Sequence, residues 1–165
     1  VSRGWRRAAF LALGLCAASL LPGRAEAQGR HEPGLFEGSV DVGLRGGRDF
    51  TNKAWTLGAQ AEVPLRGNLK LRPSGDLLFP KHAGMGWQLN GDGAVHLGQG
   101  GGLYVGGGIA LVHPHGGDTD RGTNLFFGLS TAPPDQDTKG FIEFRWTFIN
   151  DTSPFKLALG FMHQL

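Results

Sequence analysis

Cysteine is all but missing from this chain. Cys16 is the only one in 165 residues, so neither a disulfide framework nor a thiolate metal site can be built. Leu15 precedes it, where a lipidation site would place a small residue. Long apolar runs are also lacking. The longest, Phe10 to Leu21, falls short of the ~20 residues a spanning helix needs, and Pro22-Gly23 closes it. Charge of one sign is scarce as well, since the formal net charge is only +2. That small excess lies near the N-terminus, where Arg3, Arg6, Arg7 and Arg24 face a single acid, Glu26. Beyond residue 27 Lys+Arg falls from 16 to 12 and Asp+Glu from 14 to 13, which leaves no basic stripe for nucleic acid.

The basic residues Arg3, Arg6 and Arg7, the apolar run, and Ala25-Glu26-Ala27 follow one another in the order of a secretion signal. The sequence therefore predicts a signal peptide over 1–27, cleaved after Ala27, and export from the cytoplasm. Residues 28–35 form a polar lead-in, and 36–165 are long enough for one domain only.

That domain alternates apolar and polar residues in about eight successive registers. Phe36, Val40, Val42 and Leu44 oppose Glu37, Ser39, Asp41 and Arg45; Trp55, Leu57, Ala59, Ala61 and Val63 oppose Thr56, Gly58, Gln60 and Glu62. The pattern restarts at Leu69, Trp87, Leu103, Leu125, Ile142 and Phe155. A period of two is a strand signal. Turn-rich stretches such as Gly46 to Lys53, Pro64 to Gly67 and His113 to Gly122 separate the registers and leave no room for crossover helices. The expected fold class is all-β, an eight-stranded antiparallel up-and-down transmembrane β-barrel. Pro73 interrupts the third register, so that strand is expected to bulge there or to stop short, because a closed barrel has no free edge to excuse a missing N–H.

A soluble, lipocalin-like barrel or sandwich would show the same alternation with its apolar face inward, and side-chain bulk separates the two. The polar face is rich in small residues, among them Gly43, Gly58, Ala94, Gly106, Gly108, Gly128 and Gly160. They are poor material for a solvated surface but suit a crowded eight-stranded lumen, which could not hold roughly thirty large apolar side chains. Trp55, Trp87 and Phe155 open their strands and Phe79 and Phe148 close theirs. In a meander all five fall at one rim, an aromatic girdle on the outward face. Ten residues rising ~3.3 Å each and tilted ~45° span ~23 Å, the height of an outer-membrane apolar band.

On this pattern, from Phe36 to Leu165, the chain resembles the small eight-stranded outer-membrane β-barrel family, the fold of the OmpA transmembrane domain and of OmpX. The last strand, Phe155-Lys156-Leu157-Ala158-Leu159-Gly160-Phe161-Met162-His163-Gln164-Leu165, carries the resemblance furthest, although Leu165 stands where the family usually has an aromatic residue. The resemblance implies residence in the outer membrane of a Gram-negative-type envelope. Its implied partners are outer-membrane lipid and, through that last strand, the barrel-assembly machinery; a monomer and no nucleic acid are expected.

The inward face offers Glu37, Asp41, Glu62, Asp76, Asp92 and Glu143 against Arg45, Lys70, Arg72, Arg145 and Lys156. Buried charges must pair or neutralise, so the expectation is a lumenal charge network that plugs the barrel, in a protein with a structural or loop-interaction role. A small pore lined by the same groups is the alternative. A lipid A modifying enzyme is another, but Ser39, Ser74, Ser130 and Ser153 form neither a His-x-Ser pair nor a Gly-x-Ser-x-Gly elbow, and no enzyme is expected. His113, His115, Asp118 and Asp120 have metal-donor types in a loop with nothing rigid to hold them, so no metal and no cofactor are expected.

Overall fold

The structure, a computed structural model, describes residues 38–97, 102–131, 137–150 and 152–165. The signal peptide with its cleavage after Ala27, the lead-in 28–35, Phe36 and Glu37 lie outside the described residues. The chain divides into Val1–Pro33 and Gly34–Leu165, and the second unit holds all that follows.

Eight strands form it: β1 (Asp41–Asp49), β2 (Ala54–Pro64), β3 (Leu69–Pro80), β4 (Gly86–Leu97), β5 (Leu103–His113), β6 (Asp120–Thr131), β7 (Thr138–Phe148) and β8 (Phe155–Gln164). Each pairs antiparallel with the next, and β8 returns to β1, so the sheet closes. Closure leaves no strand edge unpaired. The registers drift steadily, and one circuit returns to β1 about ten residues along, a stagger that accompanies a strand tilt of roughly 35–45°.

The alternation sorts side chains as expected. Trp55 is 62% and Ile109 68% exposed on the outside, while Arg45 at 4%, Glu62 at 1% and Glu143 at 0% are buried within. Leu44, Leu57, Leu89, Leu125, Leu159 and Phe161 continue the exposed apolar surface round the barrel. This is the reverse of a soluble barrel, and a patch so large is a surface made for apolar surroundings.

The turns follow local chemistry. Asp49 ends β1 and accepts hydrogen bonds from the backbone N–H of Asn52 at 2.8 Å and from its Nδ2 at 2.8 Å, an Asx-type closure. Gly67 and Gly116 supply φ of 68° and 72° in their turns.

Three expectations are corrected. The first strand runs from Asp41 to Asp49, so Gly46 and Gly47 lie inside it; a Cβ on Gly47 would come within 2.2 Å of the Leu157 carbonyl oxygen. β6 starts at Asp120, inside the stretch expected as a turn. Pro73 neither bulges nor ends β3. It pairs with Gly91 on the β4 side, while on the β2 side pairing lapses between Gln60↔Ser74 and Val63↔Leu71 and resumes in the same register. The missing N–H is absorbed as lost rungs, with no inserted residue.

Candidate functional site

The inward side chains come from all eight strands, so the lumen is assembled by register. Its charged groups gather round two glutamates.

Glu62 stands near the mouth where β1 starts and β8 ends. Lys70 Nζ donates to its Oε1 at 2.6 Å and Lys139 Nζ to the same oxygen at 2.7 Å, while Lys139 also reaches Asp41 Oδ2 at 2.6 Å. Arg72 Nε lies 3.3 Å and His96 Nε2 3.5 Å from Glu62 Oε2. Glu143 sits deeper and is fully buried. Arg72 NH1 donates to its Oε2 at 2.9 Å, Arg145 Nε to its Oε1 at 2.9 Å, and the Tyr104 hydroxyl to Oε2 at 3.2 Å. Arg45 NH1 approaches Oε1 at 3.7 Å. Arg72 bridges the two glutamates and so joins them into one network.

The arginines have further partners. Arg45 grips Asp76 with both Nε at 2.7 Å and NH2 at 2.6 Å, the forked geometry that gives a guanidinium its directional strength. Arg145 NH1 reaches Asp92 Oδ2 at 2.6 Å. Aromatic faces cover what remains: Arg72 lies 4.5 Å from the Tyr104 ring centroid and Arg145 4.5 Å from that of Phe126, cation–π distances. Neutral amides fill the gaps, with Asn124 Nδ2 donating to Asn90 Oδ1 and Asp92 Oδ1, each at 2.9 Å.

Of the expected charge network, Asp41, Arg45, Glu62, Lys70, Arg72, Asp76, Asp92, Glu143 and Arg145 are brought into ion pairs. Lys156 is inward and buried but donates to Gln88 Oε1, and it enters no ion pair among the described residues. Glu37 lies outside the described residues. Sequence reasoning placed Tyr104 in the lumen but missed Lys139, which serves both Asp41 and Glu62, and the Phe126 ring under Arg145. For Lys139 no signal was available, because its outward neighbours Thr138 and Gly140 carry no apolar alternation. Phe126 was hidden in the run Leu125-Phe126-Phe127.

The five aromatic residues expected as a girdle stand at one rim on the outward faces of their strands. Trp55 pairs with Phe79 across β2 and β3, Trp87 stacks on His113 at 5.3 Å, and Phe155 meets Phe50 at 5.7 Å; Phe148 closes β7 at the same rim. His113 Nδ1 lies 3.1 Å from Thr119 Oγ1, and the described residues include no group of three or more His, Cys, Asp or Glu side chains placed to hold a metal. Ser74 is a network member, accepting from Arg45 NH2 at 3.0 Å and Asn90 Nδ2 at 3.1 Å.

Solved structures share this architecture. The N-terminal β-barrel domain of OprF from Pseudomonas aeruginosa superposes with a TM-score of 0.68 at 19% identity, over 79% of this chain and 99% of that one. Neisserial surface protein A, NspA, gives 0.57 at 13% identity, over 77% and 95%. A de novo designed transmembrane β-barrel gives 0.54 at 12% identity, over 78% and 96%. No family model and no curated protein matches the sequence. At these identities the likeness shows the fold alone, which is that of the small eight-stranded transmembrane barrels, as the sequence pattern leads one to expect.

Proposed function

Starting from a closed barrel of that fold with its apolar residues outside, we propose an exported outer-membrane protein whose lumen is closed by its own charge network and which serves the envelope as a structural or loop-presenting element. The observation that carries this reading is the burial of Gln88, Asp92, Tyr104, Phe126, Glu143 and Thr147, each 1% exposed or less. An eight-stranded interior is only wide enough for side chains to fill, and such burial supports a closed lumen. Groups that would make a selective pore are engaged with one another instead, and a buried ion pair broken to admit a solute strands its partner at a cost of about 3–5 kcal/mol.

The outward aromatic rim and apolar strand faces support membrane-lipid partners. β8 is the segment offered to the assembly machinery, and the protein acts as a monomer. An enzymatic role draws no support from the lumen, where Ser74 accepts from Arg45 and Asn90.

Planar-bilayer recording of the purified barrel tests the closed lumen. The expected record is free of stable steps; large, long-lived conductance would replace this reading with the pore. A change in lipid acyl-chain content that depends on a single serine or histidine would replace it with the enzyme.

A further inference from the structure

Among the described strand residues that face outward, the charged ones are two arginines at a single rim. Arg48 is the penultimate residue of β1 and Arg121 the second of β6. Both stand at the rim of the β1–β2 and β5–β6 loops, where the aromatic girdle lies. Arg48 pairs across the sheet with Trp55 and Leu157, and its guanidinium lies 5.0 Å from the Trp55 ring centroid. Arg121 is exposed beside Leu111. No carboxylate among the described residues pairs with either one. Lys53 and Lys81, exposed in loops of this rim, add the same sign. Among the described residues of this rim, Asp49 is buried against Asn52 and Asp120 accepts from Asn150, while Asp118 is exposed. At the opposite rim the outward strand ends are Leu69, Leu97 and Leu103 together with Thr131, Thr138 and His163, and no Lys or Arg of the described strands faces outward there.

An arginine facing lipid is costly at the bilayer midplane and nearly free at headgroup depth, so this pair marks where headgroups begin. A guanidinium presents a donor fork that matches phosphate oxygens. Trp55, the cross-strand partner of Arg48, and Trp87 share this rim, where amphipathic aromatics favour the headgroup boundary. We infer that this rim is a belt that recruits anionic membrane lipids, with Arg48 and Arg121 binding headgroup phosphate. The inference rests on the membrane reading above and adds the lipid chemistry and the side of the barrel that selects it.

The test uses the full chain folded into vesicles of mixed phosphatidylglycerol and phosphatidylcholine, with insertion followed by heat-modifiable migration. Lipid retained after gentle detergent release is counted by native mass spectrometry. The wild type is expected to retain phosphatidylglycerol preferentially, each of Arg48→Gln and Arg121→Gln to lower that preference by up to about fivefold, and Arg48→Lys to keep most of it. Arg66→Gln, in the β2–β3 loop of the other rim, is expected to change nothing. High salt gives an arm that needs no variant: near 1 M NaCl, where the screening length is ~3 Å, the wild-type preference should collapse. A chain that never becomes heat-modifiable in either lipid overturns the membrane reading itself. An inserted wild type without preference, a preference that survives salt or both glutamine variants, or an equal loss in Arg66→Gln overturns the belt and leaves the barrel standing.

Discussion

Glu143→Ala is the substitution to which the lumen should be most sensitive. Glu143 takes charge-assisted bonds from Arg72 at 2.9 Å and from Arg145 at 2.9 and 2.8 Å, a hydroxyl bond from Tyr104 at 3.2 Å, and the nearby charge of Arg45 at 3.7 Å. Its loss does not strand the three arginines equally. Arg45 keeps Asp76 and Arg145 keeps Asp92, both at 2.6 Å. Arg72 keeps one carboxylate, the 3.3 Å approach to Glu62, and the rings of Tyr104 and Phe126 at 4.5 and 5.4 Å. Breaking a buried pair by removing one member costs about 3–5 kcal/mol, so a loss of about 4 kcal/mol is expected, most of it from Arg72. Removing both partners in Glu143→Ala/Arg72→Met should therefore recover roughly 1.5–3 kcal/mol relative to the sum of the single changes, the scale of coupling between contacting charges. Urea unfolding in lipid vesicles, read by tryptophan fluorescence, measures all three variants. A cost below about 1 kcal/mol for Glu143→Ala, or simple additivity with Arg72→Met, would refute the reasoning that the network is a single charge-paired unit.

Leu89 and Gln88 are neighbours on opposite faces of β4, 47% and 1% exposed; Leu89→Arg should cost about 2–4 kcal/mol as a charge set in lipid, whereas Gln88→Glu, which meets the Lys156 amine, should stay within about 1 kcal/mol in the same unfolding assay. Gln88→Arg should be at least as harmful as Leu89→Arg, since the lumen there is filled and the Lys156 amine already lies against this side chain. Gly106→Ala would place a Cβ 2.3 Å from Phe126 Cζ and 2.4 Å from the Gly93 carbonyl oxygen, and an overpacking cost of about 1–3 kcal/mol is expected; outward Gly91→Ala, whose Cβ first meets Ile109 Cγ1 at 3.7 Å, should be neutral or slightly stabilising. Pro73→Ala returns an N–H facing the interrupted β2 ladder and should stabilise by up to about 1 kcal/mol, with hydrogen exchange at Ala61 slowed; unchanged exchange there would count against the lost-rung account.

The count of strands and the inward and outward faces were legible in the sequence, because a period of two survives wherever large apolar residues line the outer face. It fails where glycine takes their place. Gly46 reads as a turn residue although it sits within β1, and the Thr138–Gly140 stretch hides Lys139 for the same reason. Pairing was not legible at all. Lys139 meets Asp41 across 98 positions and Arg72 meets Glu143 across 71, and such matches are set by the stagger of the closed sheet, which no local pattern encodes. Balance of charge on the polar face foretold a network, yet not that Lys156 would turn to an amide and Asp49 to its own turn.

The most direct test of the inside-out barrel uses the near absence of cysteine. In a Cys16→Ser background, single cysteines placed in turn from Trp87 to Val95 along β4 are folded into vesicles, labelled with an environment-sensitive fluorophore and challenged with a quencher carried on lipid acyl chains. Quenching should alternate, strong at 87, 89, 91, 93 and 95 and weak at 88, 90, 92 and 94. The opposite alternation, or uniform access for a water-soluble quencher, would contradict the account.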